Sequence, residues 1–317
     1  MRAGPGVADG VALTSVPMPR RVLPDGVPEM RVGPLTAPTS TWTERLTRTQ
    51  AAVVNRSFDG PCVIRGAVGT GKTLVALHRA IRLARARPGR ILVTALSPAL
   101  PDALRGHLAE LAPDIAGRVD LLGVHALALA LLRIRGVPVA LNGARVAEAL
   151  DEAWRTVGRR GLLGYREPDR SYWEEEIAAV IQTGGLLTLE EYLAHPRNGR
   201  RHRLGPDARR AVWALHEATT AVLRRRQVQT LADVVLLAES ELSRAPLAEP
   251  YSAVIVDDAQ DLSVPMLRLL RVLAPDAPDG LTVVGDARPS LSPGCSTLDE
   301  AGIVVDGRVV TLDRMHR

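Results

Sequence analysis

Gly66-Ala67-Val68-Gly69-Thr70-Gly71-Lys72-Thr73 is the stretch from which the rest of the chain is read. Its spacing, G-x-x-x-x-G-K-[ST], is that of a loop that wraps phosphate groups. Gly66, Gly69 and Gly71 permit a tight turn around Thr70, so that backbone N–H groups converge on phosphate oxygens. The helix that follows the loop adds the positive end of its dipole at the same place. Lys72 is the single lysine among 317 residues, and the remaining Lys/Arg positions are all arginine. A compact, mobile ammonium follows β- and γ-phosphates better than a rigid guanidinium fork does. The Thr73 hydroxyl is placed to hold Mg²⁺.

The flanks have the form such a loop requires. Cys62-Val63-Ile64-Arg65 reads as a short buried strand entering the loop. After it, Leu74, Leu77, His78, Ile81, Leu83 and Ala84 keep helical spacing until Pro88-Gly89 ends the helix. Further strands are expected at Ile91–Ala95, Val119–Leu122, Val254–Asp257, Leu281–Val284 and Arg308–Leu312. Apolar strands alternating with helices predict an α/β fold, with a parallel sheet and helices on both faces. Between about Ala140 and Ala248 the alternation stops and only helical patterns remain. They cover Ala144–Val157, Tyr172–Gln182, Leu189–Leu193, Asp207–Arg226 and Leu231–Leu242. The expected organisation is a flexible Pro/Gly-rich lead-in over 1–40, a discontinuous α/β domain over 41–139 and 249–317, and an inserted all-helical subdomain over 140–248.

Val254-Ile255-Val256-Asp257-Asp258-Ala259-Gln260-Asp261 has the form of a strand ending in acids. The first acid at such a strand end orders Mg²⁺, and the second accepts a proton from attacking water. Asp257 is therefore the candidate metal acid and Asp258 the candidate base. Leu281-Thr282-Val283-Val284-Gly285-Asp286 also ends in an acid, at the sheet edge where open α/β sheets bind ligands. Asp286 reads either as a phosphate sensor acting through Mg²⁺ or water, or as a turn residue.

Composition narrows the class. The apolar fraction is 46%, enough for a substantial core, and no apolar run reaches the ~20 residues of a membrane span. The N-terminal residues carry no secretory pattern. Cys62 and Cys295 lie far apart and read as small buried residues in a reducing cytoplasm. The histidines form no metal-binding motif. Net charge is +5, with arginine clusters at Arg200-Arg201-His202-Arg203, Arg209-Arg210 and Arg224-Arg225-Arg226. These clusters read equally as nucleic-acid phosphate contacts or as a solvated arginine-rich surface. Aromatic content is only 3%, and Trp154, Trp173 and Trp213 fall in the inserted helices, where core packing is the expectation.

In this order the elements resemble the first RecA-like lobe of UvrD/Rep-type superfamily 1 helicases, from about Thr43 to Arg317. The phosphate loop corresponds to the Walker A motif, and Val256-Asp257-Asp258-Ala259-Gln260-Asp261 is similar to the family's V-D-E-A-Q-D. Leu46-Thr47-Arg48-Thr49-Gln50 resembles the glutamine motif, which implies that Gln50 reads the adenine edge. Ile91–Ser97 and Gly123-Val124-His125-Ala126-Leu127 stand where the family contacts DNA. Gly285-Asp286-Ala287-Arg288-Pro289-Ser290 resembles G-D-x-x-Q-S, and Leu312–Arg317 resembles L-x-x-N-Y-R, which implies that Arg317 reaches the γ-phosphate. The insertion stands at the place of the family's 1B subdomain.

The departures are specific. Asp258 replaces a glutamate, which retracts the carboxylate by about 1 Å, a misplacement that can cost about 10²-fold in rate. Pro289 replaces the glutamine that links ATP state to DNA. Ala95 and Val124 replace phenylalanines, and no aromatic residue follows Ser290. The resemblance also implies a second RecA-like lobe, in cis or in trans, to complete the ATP site. One expected function is the ATP-hydrolysing lobe of a DNA helicase or translocase. It would bind ATP and Mg²⁺ and contact single-stranded or partly duplex DNA through arginine–phosphate pairs. The other is a nucleotide-dependent DNA- or protein-binding module with little or no turnover, a truncated or degenerate relative.

Overall fold

A computed structural model describes residues 46–197, 200–286 and 296–312. In chain order its elements are α1 (Arg48–Asn55), β1 (Cys62–Gly66), α2 (Lys72–Ala86), β2 (Ile91–Ala95), α3 (Ala99–Leu111), β3 (Val119–Gly123) and α4 (Val124–Ile134). The inserted helices follow: α5 (Gly143–Ala153), α6 (Leu162–Arg166), α7 (Arg170–Glu176), α8 (Leu189–Ala194) and α9 (Pro206–Arg225). The chain then returns through α10 (Leu231–Arg244), β4 (Ala253–Val256), α11 (Val264–Leu273), β5 (Leu281–Asp286), α12 (Ser296–Glu300) and β6 (Val309–Leu312). Trp154–Gly158 and Ile177–Gln182 continue α5 and α7 as π-helical turns.

The strands form one six-stranded sheet in the order β3-β2-β4-β5-β1-β6, every pair parallel. Each central strand is apolar on both faces because helices cover both. Val254 and Val256 of β4 enter one core cluster with α4, α10 and α11, while Ala253 and Ile255 enter the other with α2 and α3. The period-two alternation of side chains thus separates neighbours into opposite cores. Because all strands run the same way, the C-terminal ends of β1, β5 and β4, adjacent in the sheet, meet at one edge.

The inserted helices leave and rejoin the α/β body at one neck, and Gly185 of the insert also lies close against Pro265 of α11. At the neck Gln229 N–H donates to the Ala140 carbonyl at 3.0 Å, and the Ala140 N–H donates to Gln229 Oε1 at 2.7 Å. Beyond the neck the helices have their own core, built on Trp154, Trp173, Tyr192 and Trp213. All three tryptophans are buried there. A fully buried Glu176 is held beside that core by Arg197, Arg200 and Tyr192. Helix α10 lies within the interval 140–248 but sends Val234, Val235, Ala238 and Leu242 into the α/β core beside α4 and α11.

Candidate nucleotide site

The phosphate loop leaves β1 at Gly66, which pairs in register with Asp286 of β5 on one side and Leu312 of β6 on the other. A Cβ on Gly66 would stand 2.6 Å from Thr70 Oγ1 and 2.9 Å from the Leu312 carbonyl, so any side chain there would displace the loop. Gly69 and Gly71 have φ of 84° and 79°, and Gly71 is the N-cap of α2. At Gly71 a Cβ would also collide with the Gln50 amide. Glycine is required there by both conformation and space. The loop is tightened from within, since Thr70 Oγ1 donates to the Ala67 carbonyl at 2.9 Å.

Gln50 closes the loop from α1. Its Oε1 accepts the Thr47 N–H at 2.9 Å, and Thr47 Oγ1 accepts the Gln50 N–H at 3.2 Å. This reciprocal capping box fixes the first turn of the helix. The Gln50 Nε2 then donates to the Thr70 carbonyl at 3.1 Å. The buried Gln50 side chain therefore sits against the loop between Gly66 and Thr73.

Lys72 is buried and turned back into the loop. Its Nζ donates to the carbonyls of Gly66 at 3.1 Å and Ala67 at 3.0 Å, and pairs with Asp286 Oδ1 at 2.9 Å. Asp286 is thus brought to the phosphate loop by the β1–β5 pairing.

Asp257 follows β4 directly and is fully buried. Its N–H donates to the Thr94 carbonyl of β2 at 2.8 Å, which carries the strand ladder one residue past β4. Oδ1 accepts the Asp258 N–H at 3.0 Å, whereas Oδ2 has no partner in the protein. Burial pushes the Asp257 carboxyl up to about 6, opposed by the nearby Thr73 hydroxyl and Lys72 charge and reinforced by the neighbouring Asp258 charge. An orphaned carboxylate oxygen beside a threonine hydroxyl fits Mg²⁺, which takes few protein oxygens and keeps several waters. Asp257 and Thr73 would hold that ion, which when bound neutralises charge on bridging phosphates.

Asp258 is half-buried, with φ 49° and ψ 40° in the left-handed region. A short polar side chain tolerates this conformation better than glutamate's longer one. Gln260 spans the neighbouring acids. Its Nε2 lies 3.4 Å from Asp258 Oδ1 and 3.2 Å from Asp261 Oδ2, while its Oε1 accepts the Asp286 N–H at 3.0 Å. Within its motif Gln260 has no assigned role in the sequence; its place between Asp258 and Asp261 is the only signal there of a bridging amide.

Other expected residues are placed differently. Arg317, Pro289, Arg288 and Ser290 lie outside the described residues. Ala95 and Val124 are buried in the core. The arginine clusters are largely occupied inside the inserted helices. Arg200 pairs with Glu175 and Glu176, Arg201 with Glu167, Arg210 with Asp207, and Arg225 and Arg226 with Glu152. Arg209 donates to the carbonyls of Tyr192, Leu193 and His195. Among the described residues, the exposed arginines that carry no such partner include Arg159, Arg160 and Arg166, beside Tyr165, which is 90% exposed.

A parallel sheet with the phosphate loop after β1 and the acid pair after β4 defines a RecA-like P-loop fold. The chain belongs to the UvrD/REP helicase N-terminal domain family, whose model matches residues 46–290. It is also 26% identical over 263 residues to the ATP-dependent DNA helicase PcrA of Leuconostoc citreum, an alignment covering 79% of this chain and 34% of that protein. The chain thus spans about a third of the length of that relative. Among the described residues, no helix is long and apolar enough to cross a membrane.

Proposed function

We propose that this chain is the nucleotide-binding lobe of an ATP-driven DNA helicase or translocase. The observation that carries the reading is the convergence of Lys72, Thr73, Asp257, Asp258 and Asp286 at one sheet edge, from three segments far apart in sequence. In this reading the loop N–H groups and Lys72 receive the ATP phosphates, and Gln50 meets the base. Thr73 and Asp257 hold Mg²⁺, and Asp258 takes a proton from the attacking water. Arg317 would complete the γ-phosphate contacts, with a second lobe in cis or in trans closing the site.

The DNA-contacting role rests on family membership together with charge. Arg159, Arg160, Arg166, Arg203 and Arg224 are exposed arginines of the insert with no carboxylate partner among the described residues, and are therefore better placed to meet phosphates than those committed to carboxylates. Such binding would be sequence-independent and weaken steeply with salt, with a slope of about −0.7 per phosphate neutralised on single strands.

The test is steady-state ATP hydrolysis with and without single-stranded DNA, using Lys72→Ala as the blank. DNA-stimulated turnover above the blank supports the proposal. A second reading, a nucleotide-dependent binding module, is favoured by the short Asp258 carboxylate. It is the reading that survives if ATP binds through Lys72 without turnover.

A further inference from the structure

We infer that Asp286 is an internal competitor for Lys72, an acidic stand-in that occupies the lysine until phosphate takes it; the inference rests on the nucleotide-site reading above. The three acceptors around Lys72 Nζ are Gly66 O, Ala67 O and Asp286 Oδ1, at 3.1, 3.0 and 2.9 Å. An ammonium group has three protons to donate. Two of those protons go to the Gly66 and Ala67 carbonyls, and the ammonium charge is paired with the Asp286 carboxylate. To serve a phosphate the ammonium must turn away from that carboxylate, its only charged partner among the described residues.

Asp286 is held in position for this role from two sides. It ends β5 in register with Gly66, so the sheet sets its distance from the loop. Its N–H is fixed by Gln260 Oε1 at 3.0 Å. The pair is also sheltered, with side-chain exposures of 9% for Lys72 and 22% for Asp286, so solvent screens it less than a surface pair. A nucleotide entering the loop meets two obstacles from one carboxylate. Asp286 retains the lysine, and its own negative charge faces the incoming phosphates. Removing that charge lifts both.

The test compares ATP affinity of the native chain and Asp286→Asn, an isosteric change, with Asp286→Ser as a second variant, each in Mg²⁺ and in EDTA. The expected result is binding about five-fold tighter in both variants under both conditions. Unchanged or weaker binding in EDTA overturns the inference. Weaker binding confined to Mg²⁺ also overturns it, because Asp286 would then serve the metal. Since Lys72 is the sole lysine, mass spectrometry after brief treatment with an amine-acylating reagent reports on it directly. Lys72 in Asp286→Asn should be acylated several-fold faster, and an equal rate contradicts the claim. If the native chain binds no nucleotide, or Lys72→Ala binds it equally well, the nucleotide-site reading itself fails. Lys72-dependent binding with no gain in the Asp286 variants sinks the competitor alone.

Discussion

At the scale of single residues, two acids are the candidates for chemistry, one buried and one in the left-handed region. Asp258 is one methylene shorter than the glutamate its family motif carries, and its left-handed backbone re-aims it. If reach limits turnover, Asp258→Glu should raise kcat several-fold with ATP affinity unchanged, and Asp258→Asn should abolish turnover; a Glu variant no faster than Asn would remove Asp258 as the base. Asp257 makes a pH prediction. Its carboxyl is raised from 3.8 to about 6 in the folded chain. Below about pH 4 it is protonated in both folded and unfolded chain and costs nothing. As pH rises from about 4 to about 6 the unfolded carboxyl ionises while the folded one stays protonated, so folding stability falls, by up to about 3 kcal/mol, and levels off above that window. Thermal melts should therefore show Mg²⁺ stabilising the chain more at pH 7.5 than at pH 5, and Asp257→Asn should remove that difference. An Mg²⁺ effect independent of pH contradicts this account. The turn at Gly66–Thr73 and the acids after β4 were legible in the sequence because each follows a short apolar strand and the turn glycines mark its start. The Lys72–Asp286 pair was not, because it depends on which strands become neighbours in the sheet.

At the scale of elements, a buried guanidinium joins the pieces that frame the loop. Arg79 of α2 donates to the carbonyls of Val53, Val54 and Arg56 at the end of α1, and pairs with Asp279 at 2.6 Å. It caps a helix whose last carbonyls lack partners, and so holds Gln50 against Thr70. Asp279 also accepts the Phe58 N–H at 2.8 Å and pairs with Arg82 at 3.2 Å. Asp279→Ala strands a fully buried arginine and should cost about 3–5 kcal/mol in chemical denaturation. A loss below about 1 kcal/mol, the range of a surface pair, would show that the network is not structural. Strand positions were readable to within a residue or so because each is a short apolar run closed by turn residues. The partnership of Arg79 was not readable, since a lone arginine at helical spacing looks like a solvated face. Nor was the allegiance of α10, because periodicity shows that a helix has an apolar face without showing which core receives it.

At the scale of the molecule, an α/β body carries the candidate nucleotide site, and a helical insert joined at Ala140 and Gln229 carries its own core. Glu176 in that insert is fully buried; burial alone would raise its carboxyl, but bonds from Arg197, Tyr192 and Arg200 outweigh burial and hold it below the usual range. Its contribution to stability is present above the ordinary glutamate range and is lost as pH falls through the depressed value. Glu176→Ala should destabilise the insert by about 3 kcal/mol or more, while ATP affinity stays unchanged; an affinity change would show that the two bodies are coupled through this core. The central claim is that the loop at Gly66–Thr73 is a phosphate seat whose charge is Lys72. The most direct measurement is ATP affinity by titration calorimetry for the native chain and Lys72→Ala. The account predicts binding at least about thirty-fold weaker in the variant, the scale of one charge-assisted phosphate contact. Equal affinities in two folded proteins would contradict it.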